Sequence, residues 1–131
     1  MKQLLIDTNI YTAFKRGESA VVNTLRKAEV IGLCTAVLGE LYAGFKCGSR
    51  ETDNVEQLEL FLDTPRVAVF GADETTARFY ANVYANLKRR GSPIPVNDIW
   101  IAATAMQHGL AVCTFDAHFE QVDGLIHLRP A

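Results

Sequence analysis

Two short apolar segments, each followed closely by an aspartate, most limit the folds available to this chain. Residues 4–6 lead directly to Asp7, and the segment LAVCTF leads directly to Asp116. Short apolar runs that stop at polar residues are typical of buried strands. In open parallel sheets, ligands bind outside the carboxyl ends of the strands. The pattern therefore predicts a sheet that brings two carboxylates to one edge.

Helical patterns separate the predicted strands along the whole chain. Strands are predicted at 2–6, 30–35, 66–70, 110–115 and 125–128, and helices at 9–16, 19–29, 36–47, 51–63, 74–90 and 98–108. The expected helix caps are Asn9, Ser19, Thr52 or Asp53, Asp73, and Asn97. Strands that alternate with helices indicate an α/β fold. We expect a single domain over residues 1–131, built as a three-layer α/β/α sandwich with a mainly parallel sheet.

Composition limits the class of protein. Hydrophobic residues make up 49% and charged residues 21% of the chain, and no apolar run is long enough to span a bilayer. Cys34, Cys47 and Cys113 are far apart and form no C-x-x-C motif, so we expect reduced thiols in a cytoplasmic protein. The net charge of −2 is unusual for a nucleic-acid-binding protein. A cation bound at an acidic site would, however, make the local charge at that site more positive.

Four acids have positions that suggest a shared site. Asp7 and Asp116 follow predicted strands, Asp98 begins an apolar helix, and Glu40 interrupts another apolar helix. Each also has a simpler interpretation, as a helix cap, a turn residue, a favourable charge near a helix dipole, or a solvated side chain. Carboxylates that converge repel each other unless a cation neutralises them. Oxygen ligands favour Mg²⁺ or Mn²⁺ over Zn²⁺.

Three polar neighbours extend this hypothetical site. Thr8 and Thr114 flank the acids and could orient water or ligand, or serve as ordinary turn hydroxyls. His118 lies close enough to Asp116 in sequence to line the site. Carboxylate-held metal ions hydrolyse phosphodiesters without a nucleophilic side chain. The absence of a G-x-S-x-G motif and of a phosphate-binding glycine loop agrees with that chemistry.

Four segments in order, LLIDTNI, GELYAG, NDIWIAATAMQHG and VCTFDAHFEQVDGL, resemble the PIN-domain family over essentially the whole chain. The most similar branch is that of the VapC-type toxins. The resemblance implies a Mg²⁺- or Mn²⁺-dependent endoribonuclease in which metal-activated water hydrolyses RNA and so inhibits growth. It implies the metal ligands Asp7, Glu40, Asp98 and Asp116, supported by Thr8 and Thr114. It also implies a homodimer and a cognate VapB-type antitoxin that occludes the cleft.

Candidate RNA contacts are basic residues near the predicted site, although each is equally well explained as part of a solvated helix end. They are Lys46, Arg50, Lys88, Arg89 and Arg90. Phe14, Tyr42 and Trp100 could stack on bases, but their helical spacing favours the core. Ile10, Tyr11 and Phe14 form either an interface or ordinary core contacts.

Three other functions compete with the ribonuclease. A phosphatase of the haloacid-dehalogenase type needs a second aspartate two residues after the first, where this chain has Asn9. A receiver-like Mg²⁺-dependent interaction module needs a lysine after a late strand, and none follows one here. A catalytically silent PIN domain is the third alternative, and the presence of all four acids argues against it.

Overall fold

The computed structural model describes residues 2–131 and contains a five-stranded sheet with helices on both faces. The strands are β1 (Lys2–Ile6), β2 (Ala28–Cys34), β3 (Val67–Phe70), β4 (Ala111–Cys113) and β5 (His127–Leu128). The helices are α1 (Thr8–Lys15), α2 (Ser19–Arg26), α3 (Thr35–Cys47), α4 (Glu51–Leu62), α5 (Glu74–Arg90) and α6 (Val96–His108), with a 3-10 turn at Ala117–Gln121. All neighbouring strands are parallel. The predicted α/β/α fold is confirmed.

The order of the strands creates a crevice beside β1. The sheet runs β3-β2-β1-β4-β5, so the chain builds outwards from β1 in one direction and then in the other. Where the order reverses, the loops after the two central strands diverge and leave space at the carboxyl edge. Ile6 of β1 pairs with Cys113 of β4. Asp7 and Thr114, the next residues, therefore leave the sheet side by side.

The core holds this crevice in place from both faces of the sheet. Leu4, Leu5 and Ile6 of β1 are completely buried, which fits the continuous apolar run of a strand covered on both sides. Burying such a side chain contributes about 1.5–3 kcal/mol. α6 is also buried along much of its circumference, through Ile101 and its alanines. Among residues 2–131, no helix is both long and apolar enough to cross a membrane.

α5 begins with a capping box that also ties it to α6. The Asp73 carboxylate accepts from the backbone N–H of Thr76, and the Thr76 hydroxyl oxygen accepts from the backbone N–H of Asp73, both at 3.0 Å. The fully buried Thr76 hydroxyl also lies 2.5 Å from Gln107 Oε1 on α6. Gly91 ends the helix in the left-handed region, with φ of 67°. The predicted helix 74–90 and its cap are confirmed.

The predicted end of the second helix was wrong. α2 ends at Arg26 rather than Glu29, because Ala28 already pairs with Lys2 in the sheet. Strand pairing outweighs the helical preference of the last residues. Ser19 is the first residue of α2 and not its cap. β4 and β5 are shorter than the predicted strands 110–115 and 125–128.

Two predicted caps inside the later helices were also wrong. α6 begins at Val96 with Pro95 before it, so Asn97 lies in the first turn instead of capping it. Pro95 is the N-cap residue, and its carbonyl oxygen accepts from the backbone N–H groups of Asp98 and Ile99. α4 begins at Glu51, which leaves Thr52 and Asp53 inside the helix.

Candidate metal centre

Asp7 lies between the end of β1 and the start of α1, and it has two structural partners. Its Oδ1 accepts from the backbone N–H of Ile10 at 3.0 Å, which makes Asp7 the N-cap of α1. Its Oδ2 accepts from the Thr114 hydroxyl at 2.5 Å. The prediction that Asn9 starts the helix was therefore wrong. Asp7 caps the helix and faces the cleft at the same time.

Among residues 2–131, the side chains that converge as potential metal ligands are those of Asp98, Asp116 and His118. One ligand atom from each lies within 4.8 Å of the other two. His118 Nδ1 is 3.0 Å from Asp98 Oδ2 and 3.0 Å from Asp116 Oδ1. Asp98 comes from the first turn of α6, and Asp116 caps the 3-10 turn by accepting from the backbone N–H of His118 at 2.8 Å. Two different elements thus converge on one imidazole.

Glu40 lies in α3 and lines the same cleft. Its Oε1 accepts from the Thr8 hydroxyl at 2.7 Å, and Thr8 follows Asp7 directly. The Glu40 side chain is exposed, in contrast to Asp7, of which only 7% is exposed. The hydrogen bond orients one oxygen of this exposed carboxylate, and within residues 2–131 the other oxygen accepts no hydrogen bond from a side chain.

The cleft has a volume of about 500 Å³ and is strongly acidic. The residues around it are Asp7, Thr8, Asn9, Glu40, Pro95, Val96, Asn97, Asp98, Ile101, Asp116 and His118. All four predicted acids therefore line one space, and no lysine or arginine among residues 2–131 lines it with them. Thr114 lies behind the cleft, where it holds Asp7 and accepts the backbone N–H of Asp116 at 2.9 Å.

Burial opposes ionisation of two of these acids. It is the main cause that raises the pKa of Asp7 above its ordinary value of 3.8, while the bonds from Thr114 and Ile10 act in the other direction. Burial also raises the pKa of Asp98, opposed by the hydrogen bond from His118. The charge of Asp116 adds to both increases. A divalent cation in the cleft would relieve this repulsion.

Three residues that line the cleft were not predicted from the sequence to do so: Asn9, Asn97 and Ile101. Asn9 and Asn97 line it, although both had been interpreted as helix caps. The buried side chain of Ile101 adds an apolar contact one turn after Asp98. The sequence did indicate the two asparagines, because each is within two residues of a proposed metal ligand.

Comparison with known proteins identifies the family. Residues 4–125 match the PIN domain. The chain belongs to the PIN-domain family. Ribonuclease VapC4 from Mycobacterium tuberculosis is 33% identical over 85 residues, which cover 65% of each chain. Ribonuclease VapC2 from Rickettsia felis is 28% identical over 127 residues, which cover 93% of each chain.

The same fold occurs in a solved structure described as VapBC-5 from Mycobacterium tuberculosis, a member of the VapBC family of toxin–antitoxin systems. The two structures have a TM-score of 0.77 with 22% identity, and the alignment covers 98% of each chain.

The basic residues predicted to bind RNA lie outside the cleft of this PIN domain. Lys46 and Arg50 form surface ion pairs with Glu51 and Asp53, at 3.0 and 3.1 Å. Arg90 contacts the carbonyl oxygen of Gln121 and the carboxylate of Asp123. Arg89 and Lys88 each line a different cavity, next to α5. Their role in RNA binding stays a prediction.

The aromatic residues of the PIN domain are mainly part of its packing. Phe14 packs on Phe61, with ring centroids 5.4 Å apart, and Trp100 packs on Tyr80 at 4.3 Å. Tyr42 is 36% exposed on α3, two residues after Glu40. Ile10 and Tyr11 are buried in the core, so core contact, rather than an interface, explains the apolar face of α1. The acidic cleft is lined by none of the five residues considered as stacking or interface residues, which are Ile10, Tyr11, Phe14, Tyr42 and Trp100.

Proposed function

We propose that this protein is a divalent-metal-dependent endoribonuclease and the toxin of a toxin–antitoxin pair. The single observation that carries the proposal is the convergence of Asp7, Glu40, Asp98 and Asp116 on one cleft that no lysine or arginine among residues 2–131 lines. Relatives named ribonucleases and a neighbour named as a toxin–antitoxin system support it. The set of donors, mainly carboxylate oxygens, suits Mg²⁺ or Mn²⁺.

The fit of a cation follows from the charge of the site. The burial of Asp7 and Asp98 makes their ionised forms costly, and neither has a cationic side chain from lysine or arginine beside it in the cleft. Asp7, Asp98 and Asp116 would hold the ion, with Glu40 as a further ligand or as a base. When bound, such an ion supplies Lewis-acid polarisation of a phosphodiester and lowers the pKa of water.

The side chains of the cleft have separate tasks in hydrolysis. Thr114 keeps the Asp7 carboxylate in one orientation. Thr8 orients Glu40, which would bind the cation or position the water that attacks phosphorus in line. The bond between phosphorus and the 3′-oxygen breaks, the attacking water loses a proton, and the leaving 3′-oxygen takes one up from the solvent. Because water is the nucleophile, the RNA 2′-hydroxyl takes no part in bond breaking, and the products carry a 5′-phosphate and a 3′-hydroxyl.

The remaining parts of the proposal concern partners and location. A cognate VapB-type antitoxin would block access to the cleft, and the toxin would form a homodimer. All three cysteines are free thiols, with Cys34 and Cys113 buried. Free thiols are typical of a reducing compartment, so we propose that the protein acts in the cytoplasm.

The test uses purified protein freed from antitoxin and incubated with total cellular RNA and Mg²⁺ or Mn²⁺. We expect endonucleolytic cleavage that EDTA abolishes and that falls more than about 100-fold in Asp7→Asn and Asp98→Asn. Asp63→Asn, an exposed change outside the cleft, is the matched control and should cleave normally.

Three results would contradict parts of the proposal. Equal cleavage by Asp7→Asn would refute the metal-site residues, since this change keeps shape and removes charge. Hydrolysis of small phosphate esters without RNA cleavage would favour a phosphatase. Metal binding with neither activity would favour a silent PIN domain or an interaction module.

A further inference from the structure

His118 contacts two of the proposed metal ligands through a single ring nitrogen. Its Nδ1 lies 3.0 Å from Asp98 Oδ2 and 3.0 Å from Asp116 Oδ1. The side chain is 47% exposed and lines the cleft, so the ring is directed to the acids without being forced there by core packing. Hydrogen bonding alone accounts for such contacts in a protein without bound metal.

The two distances from Nδ1 to the carboxylate oxygens also match the requirements of a metal ion. Neighbouring ligand atoms in an octahedral site with bonds of about 2.0–2.1 Å lie about 3.0 Å apart. Nδ1 already has this spacing to one oxygen from each carboxylate. The backbone N–H of His118 donates to Asp116 at 2.8 Å, so the backbone that carries the ring is itself tied to a proposed ligand.

We propose that His118 is a nitrogen ligand of the divalent cation and biases the cleft towards Mn²⁺ over Mg²⁺. The inference rests on the proposed function, because it concerns the cation of the same site. Mg²⁺ and Mn²⁺ both suit oxygen ligands, but Mn²⁺ is a first-row transition metal and binds an imidazole nitrogen more strongly than the harder Mg²⁺ does. In the coordinating tautomer, Nδ1 offers its lone pair and the ring proton is on Nε2. Asp98, Asp116 and His118 would then offer the cation two carboxylate oxygens and one imidazole nitrogen.

The matched control comes from the other histidines of the chain. His127 lies in β5, is exposed and does not line the cleft. His118→Asn keeps a short polar side chain that can hydrogen-bond to the acids but removes the imidazole. His127→Asn makes the same chemical change elsewhere. Both variants are compared with the wild-type protein, free of antitoxin and without a histidine tag.

The experiment measures coordination directly, by pulsed electron paramagnetic resonance of protein loaded with Mn²⁺. We expect the ¹⁴N coupling of a directly bound imidazole in the wild type and in His127→Asn, and its loss in His118→Asn. Calorimetric titration should show Mn²⁺ affinity falling about 10-fold or more in His118→Asn. Mg²⁺ affinity should change by less than about threefold, because imidazole contributes little to binding Mg²⁺.

The outcomes separate this inference from the proposed function. Mn²⁺ binding to the wild type without ¹⁴N coupling overturns the role of His118 and leaves the carboxylate site and RNA cleavage intact. Retention of the coupling in His118→Asn overturns it as well. Failure of the wild type to bind either metal, together with a lack of RNA cleavage, overturns the proposed function itself. The wild-type spectrum decides the question even if His118→Asn does not fold.

Discussion

Thr114 and Asp7 are 107 positions apart in the chain and are joined by a hydrogen bond of 2.5 Å. The same threonine oxygen accepts the backbone N–H of Asp116. One buried hydroxyl therefore links the ends of β1 and β4 and positions an acid on each side of the crevice. Substitutions at Thr114 and at Thr76, a second buried threonine, separate this positioning role from an ordinary contribution to stability.

Replacing Thr114 with valine should damage both the fold and the metal site. The change keeps the shape but leaves the Asp7 oxygen and the Asp116 N–H without their partner. We expect the free energy of unfolding to fall by about 1–3 kcal/mol and Mn²⁺ affinity to fall about 10–100-fold. Urea denaturation and calorimetry measure the two effects. Unchanged metal affinity would show that Thr114 does not orient Asp7 for binding.

Thr76→Val is the same substitution at a buried threonine remote from the cleft. It removes the bonds of the Thr76 hydroxyl to Gln107 and within the α5 capping box. We expect a similar loss of about 1–3 kcal/mol in the free energy of unfolding. Metal affinity and RNA cleavage by the folded protein should stay at wild-type levels. A loss of Mn²⁺ affinity equal to that of Thr114→Val would attribute both effects to general destabilisation.

The burial of Asp7 predicts how stability depends on pH in metal-free protein. Since burial raises the pKa of Asp7 above 3.8, the native state holds this proton more tightly than the unfolded chain does. The free energy of unfolding should therefore fall as pH rises from about 4 through the raised pKa. Asp7→Asn removes this contribution, so its stability relative to wild type should increase with pH. Urea titrations in EDTA between about pH 4 and pH 8 test this.

Asp73 provides a control of opposite sign. Its pKa lies below 3.8, mainly because the backbone N–H and hydroxyl of Thr76 donate to its carboxylate. The stability from Asp73 is present above 3.8 and is lost as pH falls through the lowered pKa. The stability of Asp73→Asn relative to wild type should therefore rise as the solution is acidified. If both variants shift in the same direction, the assignment of Asp7 as a destabilising buried acid is wrong.

Bound metal should reverse the effect that Asp7 has on the pH dependence of stability. A cation favours the ionised carboxylates, so Mn²⁺ should stabilise wild-type protein more at neutral pH than near pH 4. At a free concentration 100 times the dissociation constant, the gain is about 2.7 kcal/mol. Asp98→Asn should show a much smaller gain. An equal gain in Asp98→Asn would place the bound metal elsewhere on the protein.

RNA binding can be tested apart from cleavage in an Asp98→Asn background. Lys46→Gln and Arg50→Gln should each weaken binding, as measured by fluorescence anisotropy. Each should also reduce the slope of log affinity against log salt by about 0.7, which is the value for one contact to a single-stranded phosphate. These residues are in exposed ion pairs, so their loss should change stability little.

Arg16→Gln is the control for these variants, because Arg16 is also exposed and paired with an acid, Glu18. Its salt slope should match that of the Asp98→Asn parent. Arg90 is not used as a probe of RNA binding, because its guanidinium contacts Gln121 and Asp123 and its replacement would also remove these tertiary contacts. A normal slope for Lys46→Gln and Arg50→Gln would remove both residues from the RNA-binding surface.

The positions of the four acids could be anticipated because each follows from a local rule. Asp7 and Asp116 come after apolar strands, and parallel strands present their carboxyl ends at one edge. Asp98 begins an apolar helix and Glu40 interrupts another, and the resemblance to PIN domains implied that all four acids share one metal site. The structure brings all four to one cleft. Their roles as metal ligands await the experiments above.

Other features depend on contacts that spacing in the sequence does not reveal. Whether Asp7 or Asn9 caps α1 depends on where the backbone leaves the strand, and both residues are good caps. The contact of Thr114 with Asp7 depends on the register that pairs Ile6 with Cys113. The direction of the His118 ring follows from the 3-10 turn that Asp116 caps. Each of these three features depends on tertiary structure and not on local sequence.

The separation of Asp7 from Thr114 also sets an order of events during synthesis. A ribosome adding about 5–20 residues per second needs about 5–20 s to progress from one to the other. Until β4 emerges and pairs with β1, the nascent chain has the first acid of the cleft but lacks Thr114 and Asp116. For the proposed ribonuclease, this topology means that the complete set of acids exists only after most of the chain has been synthesised.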